Sequence, residues 1–173
     1  MDRRNLIKTL SAGGLAAGVL ATGGSTAMAT AMGGNERTAN KLLDLLMKAI
    51  NTQDLSLFDH IYAADGYVNH QVLVMNAAPA QKMGREQAKN YFAARFKAFP
   101  DINLATDIRV AHGDMIAANL VWNGTQKDTY LGVPATGKHV AWNSTDILRV
   151  RDGYFVEHWG AVDFFGLMMQ LQS

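Results

Sequence analysis

The chain has 173 residues, 49% of them hydrophobic and 18% charged, which suits one globular domain with its own core. A formal net charge of +1, with no Lys/Arg cluster on any one helix, gives no electrostatic footprint for nucleic acid. There is no cysteine, which excludes disulfides, thiolate nucleophiles and Cys-ligated metal.

Residues 1–29 read as an export signal rather than as fold. Arg3, Arg4 and Lys8 form a positive start, Leu10 to Ala21 a short apolar run with glycines, and Ala27-Met28-Ala29 a small-x-small cleavage site. The stretch from Asp2 to Lys8 is similar to a twin-arginine signal, with Leu6 and Ile7 at its apolar positions. The run is too short and glycine-rich for a convincing membrane span, so no stable span is expected after cleavage and the expected location is the periplasm. An uncleaved N-terminal anchor is the alternative. A cysteine-free domain folds without an oxidising compartment, which agrees with export in the folded state.

Residues 30–40, including Gly33-Gly34, read as a flexible lead, and the domain is expected over 41–173. From Asn35 the pattern turns helical, with Leu42, Leu45, Leu46, Ala49 and Ile50 at i, i+3, i+4 spacings. Asn51 and Asp54 punctuate, and Leu55 to Tyr62 predicts a short second helix. Tyr67-Val68-Asn69-His70 is a strand signal. Gln71 to Met83, with Pro79, reads as a loop whose Met75 and Met83 are placed to cover a cavity. A third helix opens at Gly84-Arg85-Glu86, carries Ala88, Tyr91, Phe92, Arg95, Phe96 and Phe99, and stops at Pro100. Strands are predicted over Ile102–Ala111, Met115–Asn123, Tyr130–Gly132, His139–Val150 and Tyr154–Val162, followed by a short C-terminal helix over Phe164–Gln172. Three helices followed by an antiparallel meander argue an α+β domain, with the helices on one face of a curved antiparallel sheet.

The hairpin Asp146–Trp159 carries the most chemistry. Alternate residues of a strand share a face. Trp142, Ser144, Asp146, Leu148 and Val150, with Tyr154, Val156, His158, Gly160 and Val162, form the more apolar set and are expected inside. Arg149 and Glu157 belong to the other set, as an exposed cross-strand pair worth little. A two-residue Asp152-Gly153 turn sets Asp146 opposite Trp159. A three-residue loop, Arg151-Asp152-Gly153, with Gly153 in the left-handed position of a bulge, sets Asp146 opposite His158. Only the second puts both apolar sets on one face, so the three-residue loop is expected.

That register creates a buried aspartate–histidine pair suited to general acid/base chemistry, with Gly160 leaving room for a ligand. A satisfied polar pair in a core is the competing reading. Asp163, at the end of the same strand, is either a further acid or the N-cap of the last helix. His70 is a candidate rim contact. No His/Asp/Glu spacing matches a metal signature, and neither a phosphate-cradling glycine loop nor a nucleophile elbow is present.

The chain resembles the SnoaL-like polyketide cyclases, or ester cyclases, of the nuclear-transport-factor-2-like superfamily. The matching pieces are Tyr67-Val68-Asn69-His70, Gly84-Arg85-Glu86, Ala98-Phe99-Pro100-Asp101, Gly113-Asp114, Gly124-Thr125, Gly132 to Lys138, Arg149 with Asp152-Gly153, Glu157-His158-Trp159-Gly160, Asp163 and Gly166 to Leu171. The resemblance implies a cone-shaped α+β fold, a curved sheet against three helices around an apolar cavity, and a homodimer. It implies cofactor-free intramolecular aldol cyclisation, in which a carboxylate takes an acidic C–H proton and the substrate ketone is protonated as the ring closes. His158 matches the family's strand histidine. The family's acid/base aspartate falls two residues later, at Gly160, which leaves Asp146 as the nearest acid. The family's Gly-Thr-His is Gly124-Thr125-Gln126 here, and its preceding arginine is Asn119.

The expectation is therefore a cofactor-free enzyme acting on a small apolar carbonyl compound or ester. Asp146 is the base, His158 its partner, Asp163 a third candidate, and His70, Trp142, Trp122, Tyr91 and Gly160 the substrate contacts. The alternatives are a non-catalytic exported domain that binds a small hydrophobic ligand, and an interaction module whose sheet makes a dimer.

Overall fold

The computed structural model describes residues 22–71 and 81–173, with side chains described for 33–71 and 84–173. The Arg3-Arg4 start, the apolar run to Ala21 and Met75 lie outside the described residues. Helix α1 spans Thr22–Thr52, so the stretch expected as a lead over 30–40 is helical. Ala39 is already fully buried, and the Glu36 carboxylate accepts the Gly113 N–H at 3.1 Å. The buried stripe is Ala39, Leu42, Leu43, Leu46, Ala49 and Ile50, as helical periodicity requires. In the last turn of the helix, the Asn51 amide both donates to and accepts from the Leu104 backbone, at 3.0 and 2.7 Å, and so ties α1 to a strand.

The short second helix is a 3-10 helix, Leu55–His60, and its cap Asp54 accepts the Ser56 N–H. Strand β1 is Tyr67–Asn69. Gln81–Met83, expected as loop, forms β2 by pairing antiparallel with β1. Helix α2 is Arg85–Ala98. Its N-cap Gly84 has no side chain, and Gln87 reaches back to accept the Gly84 N–H at 2.8 Å.

The long strands are β3 (Asn103–His112), β4 (Met115–Thr125), β5 (His139–Arg151) and β6 (Tyr154–Val162), and α3 (Phe164–Gln172) closes the chain. Tyr130–Gly132 is not a strand. Leu131 and Gly132 take positive φ, of 49° and 84°, and make a tight turn closed by a Tyr130–Val133 bridge. The six strands form one curved open sheet in the order β2-β1-β6-β5-β4-β3. It is antiparallel except where β1 runs parallel to β6, pairing Val68 with Glu157 and Asn69 with His158. Helices α1 and α2 cover its inner face, where Leu104, Ile116, Leu120, Trp122, Trp142, Leu148 and Phe155 are buried.

The hairpin register differs from the expectation. The turn is the two-residue Asp152-Gly153 form with both residues at positive φ, 52° and 82°, so Arg151 opposes Tyr154 rather than Val150 doing so. A β-bulge then inserts Val156, because Val150 pairs with Phe155 and Arg149 with Glu157. The extra residue switches the face on which β6 alternates. Phe155 is fully buried, Tyr154 and Val156 are half-buried, and His158 nevertheless points inward. Asp146 opposes Gly160, and His158 opposes Leu148.

Candidate active site

Asp146 and His158 meet as diagonal neighbours on the inner face rather than as a direct pair. The Asp146 side chain leans over Gly160 toward His158, and Oδ1 comes within 3.3 Å of His158 Nε2. Both residues are buried, at 8% and 9% exposure. Glycine at 160 makes this possible. A Cβ there would lie 2.7 Å from Asp146 Oδ1, 2.7 Å from Gln71 Nε2 and 2.8 Å from His158 Nε2, distances that real Cβ atoms essentially never show.

Hydrogen-bond logic fixes where the protons sit. Trp122 Nε1 can only donate, and it donates to Ser144 Oγ at 3.0 Å. Ser144 therefore turns its own hydrogen to Asp146 Oδ2, 3.3 Å away. On the other side, Asn69 Oδ1 accepts the Gln71 backbone N–H at 2.9 Å and lies 3.2 Å from His158 Nδ1. An oxygen that accepts from a backbone amide identifies which end of the Asn69 amide faces His158, so Nδ1 is the donor. Nε2 then faces the carboxylate. Asp146 Oδ1 accepts no aligned hydrogen bond from the described residues. It is held by the imidazole alone, and its lone pairs are the ones free to take a proton.

Around this pair stand Tyr91, expected as a substrate contact, and Tyr62, Tyr67 and Arg95, to which the sequence assigns no role. Tyr62, Tyr67 and Tyr91 have their hydroxyls pushed well up from the usual phenol range, chiefly by burial and further by the charge of Asp146. They stay neutral donors. Arg95 projects from the apolar stripe of α2 into the same interior. Its guanidinium carbon lies 4.7 Å from the Trp122 ring centroid and 4.8 Å from that of Tyr91. Arg95 also donates to the hydroxyls of Tyr91 and Tyr130.

The other predicted residues fall in three places. Trp122 and Tyr91 wall the Arg95 side of the interior. Trp142 stacks on Trp122, 6.1 Å between centroids with planes 4° apart, and tilts against Phe99. His70 is not brought to the pair. It stacks flat on Trp159 at 4.7 Å and contacts Glu157 at 3.0 Å, on the outer side of β6, while its backbone N–H holds the His158 carbonyl. Asp163 is exposed and caps α3, accepting the Gly166 N–H at 2.8 Å. Arg149 and Glu157 pair at 2.7 Å, as expected of directly opposed residues.

Gln126 has a structural task. Fully buried, it donates to the Val133 carbonyl and accepts from Thr136 N and Oγ1, so it anchors the turn that carries Tyr130. Among the described residues, no group of three or more His, Asp and Glu side chains converges as a metal site would require.

A model of the SnoaL-like polyketide cyclase family matches residues 40–171. Solved structures share the fold. TsrD from Streptomyces laurentii is 27% identical with a TM-score of 0.69, covering 78% of this chain and 95% of its own. Wild-type IdmH from Streptomyces antibioticus is 28% identical with a TM-score of 0.67, covering 78% of this chain and 99% of its own. A SnoaL-like polyketide cyclase from Agrobacterium tumefaciens, 17% identical with a TM-score of 0.63 over 77% of this chain and 97% of its own, is similar in fold alone. A search of curated protein sequences gave no match.

Proposed function

For a chain that belongs to the SnoaL-like polyketide cyclase family, we propose general acid/base catalysis on a small apolar carbonyl compound or ester, in the manner of an aldol-type ring closure. Asp146 Oδ1 removes a proton from a carbon activated by neighbouring carbonyl groups. The electron pair passes into an enolate, whose carbon attacks a second carbonyl of the same molecule. As the C–C bond forms, the carbonyl π pair moves to oxygen, which takes the Nε2 proton of His158 in its imidazolium form, the form a facing carboxylate favours. Return of the proton from Asp146 Oδ1 to Nε2 restores the starting state, so no proton is gained or lost overall.

The observation that carries this reading is the 3.3 Å approach of Asp146 Oδ1 to His158 Nε2, with His158 Nδ1 already committed to Asn69. One proton between a carboxylate and an imidazole, in a water-poor interior, is the equipment of a proton-transfer site. The test is turnover of a panel of β-diketones and β-keto esters. Asp146→Asn keeps shape and volume, and it should lose about 10²–10⁴-fold in kcat with binding retained. Ligand binding without turnover by the wild type would instead favour a small-molecule carrier.

Two further readings accompany this one. Export by the twin-arginine route is proposed from the sequence of residues 1–29. Homodimerisation is proposed through the outer face of the sheet. There Val110, Ala117, Ile147 and Trp159 line up across four strands, and Val110 is 62% exposed.

A further inference from the structure

Among the described residues, Arg95 is a buried cation without a counter-ion. It is 5% exposed, yet no Asp or Glu of the described residues lies within ion-pair distance, and its hydrogen bonds go to the neutral hydroxyls of Tyr91 and Tyr130. Residues 72–80 contain no acidic residue and cannot supply one. Every other described arginine that makes an ion pair here does so near the surface, as Arg85, Arg109 and Arg149 do with Asp59, Asp44 and Glu157.

A desolvated guanidinium is unfavourable unless something offsets the lost water. Part of the offset comes from the ring faces of Tyr91, Phe92, Trp122 and Tyr130, which lie 4.7–5.9 Å from the guanidinium carbon. That box leaves the fork of the guanidinium incompletely used. Nε and Nη2 donate to the tyrosines, whereas Nη1 donates to none of the described residues. A methionine or leucine would fill the same stripe on α2 at no electrostatic cost, so packing alone does not account for arginine at this position.

We propose that Arg95 is the recognition site for a carboxylate on the substrate, which narrows the substrate class to small, flat carboxylic acids that also carry an enolisable ketone. This rests on the acid/base reading of Asp146 and His158. A monoanion fits better than a phosphate, because one cation serves the site and the Asp146 carboxylate faces the same interior. The partners are planar on every side, so a carboxylate that accepts from Nη1 presents a flat body to the rings. Trp122 joins the two halves of the site. Arg95 lies on its ring, and its N–H leads through Ser144 to Asp146. The substrate's acid end is thereby held at the indole face while its acidic C–H reaches toward Oδ1.

The experiment compares equilibrium binding of 2-naphthoate and its neutral isostere 2-naphthamide to the whole domain, read by tryptophan quenching and calorimetry. Wild type should prefer the acid by about tenfold or more, since a charge-assisted hydrogen bond from Nη1 replaces a neutral contact. Arg95→Met should bring the two within twofold. Asp146→Asn should keep or sharpen the preference for the acid, because it removes a negative charge from the same interior. Equal binding of acid and amide by wild type, or an acid preference that survives Arg95→Met, overturns the proposal. Should Arg95→Met fail to fold, Arg95→Lys decides, because lysine keeps the charge but has no second nitrogen to offer a ligand while it holds the tyrosines. A threefold or larger loss for the acid alone supports the site, and no change overturns it. None of these measurements uses turnover. Failure here leaves the roles of Asp146 and His158 standing, and failure of the turnover test leaves the anion site standing.

Discussion

Asp146 and Gly160 oppose each other across β5 and β6, and the carboxylate of the first lies over the Cα of the second. A side chain at 160 and the present position of Asp146 are mutually exclusive. Gly160→Ala places a methyl 2.7 Å from Asp146 Oδ1 and 2.8 Å from His158 Nε2. The methyl must push the pair apart, and overpacking of this kind costs about 1–3 kcal/mol. Urea unfolding should register that loss, and turnover should fall far more steeply than stability. An alanine variant as active as wild type would show that the pair is not needed as placed.

Ser144 is the next link. Ser144→Ala leaves the Trp122 N–H without its acceptor and Asp146 Oδ2 without its donor. Two buried polar groups lose partners at once, so the domain should lose about 1–3 kcal/mol. Trp122 emission should move as its N–H changes environment. The rate should drop less than in Asp146→Asn, because the oxygen proposed to take the proton is Oδ1 rather than Oδ2.

How much of this was legible in the sequence depends on whether the deciding contact is local. The stripe of α1 and the strands β4 and β5 follow from periodicity, because each buries one face along its own length. The hairpin register does not. Alternation assumes a constant two-residue period, and the bulge at Val156 breaks it, so Phe155 and His158, three residues apart, both face inward. Face polarity taken over the whole hairpin averages across that break, whereas the Asp152-Gly153 dipeptide specifies the turn by itself. The approach of Asp146 to His158 survived only because Gly160 lets the carboxylate lean across. Asn69, Gln71 and Tyr67 reach the site through the parallel pairing of β1 with β6, which joins Val68 to Glu157 and has no local signature. The same pairing turns His70 outward. Arg95 did leave a signal, a charge on the apolar stripe of α2 among Phe92, Phe96 and Phe99. Its meaning needed Trp122 and Tyr130 from distant segments.

The outer face gives a prediction about assembly. Val110 and Ile147 stand two strands apart in one row, joined by Ala117. Exposed apolar rows of this kind are sites of association. Val110→Lys with Ile147→Lys adds two charges to the row without touching the inner face. Light scattering should then report a monomer where wild type reports a dimer, with secondary structure unchanged. A wild-type monomer at micromolar concentration would remove the dimer proposal.

Asp101 sets a pH dependence that is independent of the site. Its carboxylate accepts the Thr125 N–H at 2.6 Å and the Thr125 hydroxyl at 2.7 Å, which pins the end of β4 to the turn after α2. The Thr125 backbone bond, then the hydroxyl bond, holds the Asp101 carboxyl below its ordinary value of 3.8. The folded state thus binds this proton less readily than the unfolded chain does. The stabilisation is fully present above 3.8 and disappears as pH falls through the lower folded value. Because the side chain is half exposed, screening limits the contribution to about 1 kcal/mol. Unfolding of wild type and Asp101→Ala should therefore differ by about that much at neutral pH, and the two curves should converge in strong acid. A gap that stays constant down to the acid limit would mean that the side chain acts by packing and not by its charge.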